Sequence, residues 1–330
     1  MKVCVFGAGA VGGLLAAQLS QAGVDVSIIA RGEHLEAIQR DGLTLVQGEE
    51  RRTFKMPASD DPADLGEQDF VLVTVKSTAL RGLPGVISPL LGEETAVVFA
   101  QNGIPWWYPY GLSETAPRSP EVDWLDPDGD LRALLKRTIG AVVMSANEVI
   151  EPGVVLNVST TRNRLIVGEP DDSQSERITA LRDVLERAGV GSPATSSIRT
   201  DIWTKLVMNM TGSVLCAVMG ESMRTMRESG LLDEILERLH REACAIAQAH
   251  CPDIDIAAPL RVRSGHKPSI LQDLERRRPM EIDALVAAPL AFARAAGLET
   301  PSLDLLGGLA AFRAQEAGLY APSRLLPIAP

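Results

Sequence analysis

At 330 residues the chain is too long for one ordinary hydrophobic core and suits two domains of typical size. Hydrophobic residues at 45% and charged residues at 23% exclude a disordered or fibrous chain. The net charge of −11, with a densest basic run of only Arg276, Arg277 and Arg278, argues against nucleic acid as a partner, because phosphate neutralisation needs a clustered positive face.

No apolar run approaches the ~18 residues of a bilayer span, and no signal peptide precedes the first strand at Lys2, so a cytoplasmic protein with no membrane partner is expected. Cys4, Cys216, Cys244 and Cys251 show no C-x-x-C spacing and sit in apolar stretches, which predicts buried free thiols. His34, His240, His250 and His266 lack metal-ligand spacing, so no metal is expected.

In chain order, the β-branched runs VCVFG, VDVSIIA, FVLVTV, AVVFA and IGAVVM alternate with helical patterns, the first over Val11 to Gln21. Continuous apolar strands separated by helices predict a parallel sheet covered on both faces, the doubly wound α/β class of Rossmann type. A turn-rich stretch from Pro105 to about Asp130 interrupts this pattern and holds Trp106, Trp107, Tyr108, Tyr110 and Trp124, which suggests a loop over a ligand. After Ser192 the strands cease, and Arg199 to Gly220, Leu231 to Cys251, Glu281 to Gly297 and Ser302 to Glu316 read as helices. The expected division is a dinucleotide-binding domain over 1–192 and an all-helical domain over 193–330, linked through GVGSPATSS at 189–197.

Gly7-Ala8-Gly9-Ala10-Val11-Gly12 is a G-x-G-x-x-G that follows a strand and opens a helix. The first glycine permits a tight turn, the second lets a pyrophosphate approach the backbone, and the third lets helix and strand pack closely. The helix N-terminus supplies unpaired N–H groups and partial positive charge to the phosphates. At the end of the second strand, where NAD sites usually place an acid, the chain has Arg31. A guanidinium pairs with a 2′-phosphate, favouring NADP(H); the alternative is a solvated Arg31, with Glu33 taking the ribose. Lys76 and Asn102 follow later strands, at the carboxyl ends where open α/β sheets bind ligands. The alternatives are a solvated lysine and a simple Asn-Gly turn.

In the apolar segment DIWTKLVMNMTGSVLCAVMG, Lys205, Asn209 and Ser213 recur at i, i+4 and i+8, on one stripe of a helix. A buried ammonium without a partner costs several kcal/mol and a buried amide roughly 1–3. The stripe therefore faces a ligand or other polar groups, or else it faces water or the acids of a neighbouring helix.

The ordered set of motifs resembles the ketopantoate reductase family, the 2-dehydropantoate 2-reductases of pantothenate biosynthesis. It comprises GxGxxG at 7 to 12, Arg31, VTVKS around Lys76, QNG around Asn102, Pro152-Gly153, DIWTKLVMN at 201 to 209, PSILQD at 268 to 273 and EID at 281 to 283. The resemblance implies a helical domain like the C-terminal one of 6-phosphogluconate dehydrogenase, NADPH as cofactor, a small 2-oxo acid as substrate and, for some members, a homodimer through the helical domain. It implies that Lys205 is the catalytic proton donor, with Glu281 close to it and to the cofactor. Asn209 and Ser269 would bind substrate, with Ser213 on the same stripe, and Lys76, Asn102 and Ala146 would contact cofactor. Ser213 replaces an asparagine of well-known members, Val286 and Ala287 stand where the family has an Asn-Gly pair, and the aromatic loop is longer than the family's connection. These departures fall around the substrate. Two other readings remain open: an NADPH-dependent reductase of another 2-oxo or β-oxo acid, and a non-catalytic NADP(H)-binding regulator, against which the intact Lys205, Asn209, Ser269 and Glu281 argue.

Overall fold

The computed structural model describes residues 1–159, 163–256 and 265–322. The chain forms two compact units, Met1–Gln101 with Asp128–Ile198, and Asn102–Pro127 with Arg199–Pro330. The aromatic stretch therefore interrupts the first unit in sequence but packs with the helices of the second, a difference from the division at 192/193.

The first unit opens with β1 (Lys2–Phe6), α1 (Ala10–Gln21), β2 (Asp25–Ile29) and α2 (Gly32–Asp41), then β3 (Leu43–Gln47), β4 (Glu50–Phe54), β5 (Ala58–Ser59) and β6 (Gln68–Val73). After α3 (Leu83–Ile87) come β7 (Leu91–Phe99), β8 (Thr138–Met144), β9 (Asn147–Glu151), β10 (Val154–Asn157), β11 (Arg164–Gly168) and α4 (Glu176–Arg187). The main sheet runs β11-β8-β7-β6-β1-β2-β5, with β11 antiparallel and every other pair parallel. The five apolar runs of the sequence are its five adjacent central strands. Val3, Val5, Ile28, Leu72 and Val98 are buried because helices cover both faces. Strand order reverses beside β1, so the carboxyl ends of β1 and β6 flank the switch point where such sheets bind ligands.

A second sheet, β4-β3-β10-β9, is absent from the sequence reading. It packs on α1, where an ideal Cβ at Gly13 would lie 2.6 Å from Val155 Cγ2, so glycine there permits the close approach.

The second unit takes up α5 (Ile198–Met208), which runs through a π-turn (Asn209–Ser213) into α6 (Val214–Met219), followed by α7 (Met223–Ser229) and α8 (Asp233–His250). Then come α9 (Ser269–Glu275), a second π-turn (Asp283–Ala287) leading into α10 (Ala288–Ala295), and α11 (Pro301–Glu316). Contrary to the sequence reading, the helical run Ile198–Met219 is long and apolar enough to cross a membrane by hydropathy. It is instead largely core, with α8, α9 and α11 packed against its C-terminal half. All four cysteines are free, but Cys244 is only half-buried, correcting the expectation for that thiol.

The loop 102–127 is anchored by its own aromatic residues. Tyr108 stands edge-on to Trp203 and Phe292, and Trp203 Nε1 donates to the Tyr108 hydroxyl at 2.7 Å. The buried Arg199 donates to the carbonyl oxygens of Tyr108 and Tyr110 and lies over the Trp107 ring. Trp106, Trp107, Tyr108 and Trp124 are all buried, so these side chains build the core of the unit rather than offering an open aromatic face.

Candidate active site

In the first unit the expected cofactor positions gather at the carboxyl ends of parallel strands. Gly7, just past β1, has φ +108°, a conformation that favours glycine, and a Cβ there would meet Val75 Cγ1 at 2.6 Å. A Cβ at Gly12 would lie 2.1 Å from the Gly7 carbonyl oxygen, whereas at Gly9 it would meet nothing within 4 Å. The first and third glycines are thus required by packing, and the second faces open space. Gly9 caps α1 with no side-chain hydrogen bond, and the first turn, which begins with Ala10 and Val11, holds no acid. The N–H groups there suit an anion. Ala8 is buried, its N–H directed to the Ile29 carbonyl at 3.3 Å.

Arg31 is the exposed N-cap of α2, two residues past β2, and Glu33 is exposed in the first turn. Lys76 caps the short 3₁₀ turn after β6. Ala146 lies between β8 and β9, its carbonyl accepting from Val158 N–H at 2.8 Å.

In the second unit, Lys205 of α5 donates from Nζ to Asn102 Oδ1 at 2.5 Å. Burial pushes the ammonium down to about 8 from an ordinary 10.5, and the nearby Glu281 carboxylate opposes that fall. Desolvation therefore wins, a balance that spacing alone leaves open. Glu281 is itself buried, directly before the helical run of the second π-turn and α10. Asn102 is held in turn by Gly103, which has φ +84° and whose Cβ would lie 2.3 Å from the Ala284 carbonyl oxygen. Ile104 N–H bonds that same oxygen at 2.9 Å. The Asn-Gly pair is thus both a turn and the seat of a lysine partner, a pairing the sequence reading missed because 103 residues separate Asn102 from Lys205.

The stripe of Lys205, Asn209 and Ser213 is modified, since Asn209 to Ser213 form a π-turn and not a regular α-turn. Ser213 Oγ still donates to Asn209 Oδ1 at 3.2 Å. The two π-turns pack against each other, one following the Lys205 helix and one following Glu281. Val286 and Ala287 lie buried in the second. Such wide turns frequently mark functional sites, because they re-aim side chains within an otherwise regular helix. Ser269 is exposed as the first residue of α9, which packs on α6 and the first π-turn.

The N-terminal model of "Ketopantoate reductase PanE/ApbA" matches residues 3–106, and the C-terminal model of the same family matches residues 197–314. The chain belongs to the ketopantoate reductase family. It is therefore an oxidoreductase with a Rossmann-type first unit and the helical second unit of that family. A 2-dehydropantoate 2-reductase of Mesorhizobium japonicum is 39% identical over 97% of this chain and 100% of its own length. One from Pyrococcus horikoshii is 26% identical over 94% of this chain and 96% of its own. Among solved structures, a PanE/ApbA family ketopantoate reductase from Ralstonia eutropha JMP134 superposes with a TM-score of 0.79 at 27% identity, covering 96% of this chain and 100% of that one.

Proposed function

We propose that this ketopantoate reductase family member reduces 2-dehydropantoate to pantoate with NADPH, in pantothenate biosynthesis. The observation that carries the reading is the Lys205 ammonium, poised near pH 8 between Asn102 and the Glu281 carboxylate. The names of the Mesorhizobium and Pyrococcus relatives support the choice of substrate.

The residues present in the first unit fit a nicotinamide dinucleotide: open space at Gly9, an uncapped α1 N-terminus without acid, and Arg31 and Lys76 past neighbouring strands. The bound nicotinamide would supply a hydride to the 2-oxo carbon. As negative charge builds on the carbonyl oxygen, Lys205 stabilises it and passes one proton from Nζ to that oxygen, leaving a hydroxyl and a neutral amine that water reprotonates. Asn102 fixes the Nζ rotamer, and Glu281 keeps the amine protonated at neutral pH. Asn209, Ser213 and Ser269 would supply amide and hydroxyl groups for the substrate hydroxyl and carboxylate, and Ala146 would help to hold the cofactor. Arg31 would pair with the 2′-phosphate and so prefer NADPH over NADH.

The protein would act as a cytoplasmic enzyme with no nucleic-acid or membrane partner, and as a homodimer through its helical unit. For the dimer, support comes from Leu305, Leu309 and Phe312, exposed by 66%, 47% and 64% at i, i+4 and i+7 of α11. The test of the function is turnover of a panel of 2-oxo acids with NADPH and with NADH. Ketopantoate with NADPH should give the highest kcat/KM. A better 2-oxo acid would move the assignment to another substrate, and loss of the NADPH preference would remove the role of Arg31.

A further inference from the structure

His34 lies three residues after Arg31, in the first turn of α2. Both of its ring nitrogens are engaged by backbone. Nε2 is 2.7 Å from the Ala8 carbonyl oxygen, and Nδ1 accepts from the Gly153 N–H at 3.0 Å. A backbone N–H can only donate and a carbonyl can only accept. The two contacts together select the neutral ring with hydrogen on Nε2.

The partners give this contact its meaning. Ala8 stands between the first two glycines of the G-x-G-x-x-G loop. A trans peptide is planar, with its C=O and N–H antiparallel, so drawing the Ala8 oxygen toward the imidazole turns the Gly9 N–H away from it. The neighbouring Gly7 carbonyl is held in the same manner by the Thr74 hydroxyl at 2.6 Å. Both loop carbonyls are thereby held by side chains while the backbone at Gly9 faces open space. The other partner, Gly153, turns the chain between β9 and β10 with φ +76°, and its ideal Cβ lies 3.1 Å from Ala37 Cβ of α2. One imidazole therefore ties together the glycine loop, the helix capped by Arg31 and the hairpin of the second sheet.

We infer that His34 is a positioning residue for the dinucleotide, holding the Ala8–Gly9 peptide and the Arg31 end of α2 in the register that binds the pyrophosphate and the 2′-phosphate. This rests on the reading of residues 7–12 as a dinucleotide site. His34 does not touch the reacting atoms, so its removal acts on cofactor binding and leaves the chemical step intact.

The experiment compares wild type, His34→Ala and His34→Gln by NADPH titration, steady-state kinetics and thermal melting, with ¹⁵N NMR of the wild-type ring. For His34→Ala, the KM and Kd for NADPH should rise about tenfold, equivalent to about 1.4 kcal/mol, with kcat at saturating NADPH within about twofold. In His34→Gln the side-chain amide can still donate to the Ala8 carbonyl, and it should recover most of the affinity. The wild-type ring should show a protonated Nε2 and an unprotonated Nδ1. Unchanged NADPH affinity in His34→Ala, an equal fall in kcat, or hydrogen on Nδ1 would each overturn the inference. Should His34→Ala not fold, the wild-type tautomer and the affinity of His34→Gln decide. Wild type that binds no nicotinamide dinucleotide would instead overturn the underlying site reading, and that outcome is visible before any variant is made.

Discussion

In the proposed reaction Lys205 is the proton donor, because two opposed effects leave its ammonium near pH 8. The group is a proton donor below that value and a neutral amine above it. Turnover should therefore hold at neutral pH and fall as pH rises through about 8. Burial is the larger cause and Glu281 the smaller, opposing one, so Glu281→Gln removes a raising influence. The alkaline limb of the kcat profile should then move to lower pH. A limb that stays in place would show that Glu281 acts otherwise than through the lysine charge. Lys205→Ala should cost about 10²- to 10⁴-fold in kcat, the ordinary range for a lost general acid, with little change in NADPH affinity.

At the level of elements, the central strands were legible because strands buried on both faces need continuous β-branched runs, and β1, β2, β6, β7 and β8 have them. The second sheet was not, since β4 reads ERRTF and is mostly exposed, so no hydrophobic alternation announces it. The π-turns were also hidden: Asn209–Ser213 looks like any α-turn in residue pattern, and only packing reveals the wider turn. The Lys205 helix, Glu281 and the glycine loop stand out in the sequence as candidate chemical motifs, by an apolar helix carrying a polar stripe, an EID triplet and a G-x-G-x-x-G after a strand. The bond from Lys205 to Asn102 does not, because it joins distant segments through the fold of loop 102–127. That loop belongs to the helical unit because Arg199 satisfies its buried carbonyls. Arg199→Met should leave those oxygens without a partner and cost about 3 kcal/mol of stability by urea unfolding. Gly103→Ala faces both a positive φ and a backbone oxygen at 2.3 Å. It should cost about 2 kcal/mol or more, and should also lower kcat by displacing Asn102. Retained stability and kcat in that variant would show that the Asn-Gly turn relaxes freely.

For the whole molecule, an acidic chain presents an apolar stripe on α11 that sets it apart from an ordinary monomer surface, where large apolar side chains are scattered singly. Sedimentation should show a dimer for wild type and a monomer for Phe312→Glu, and a monomeric wild type would remove the assembly proposal while leaving the chemistry untouched. The most direct test of the central claim is ketopantoate-dependent NADPH oxidation by wild type and Lys205→Ala, followed across the pH range that spans the lysine. The account predicts efficient wild-type turnover that declines through about pH 8 and collapses in the variant. Wild type that binds NADPH yet leaves ketopantoate unreduced, or a variant that turns it over at the wild-type rate, would contradict it.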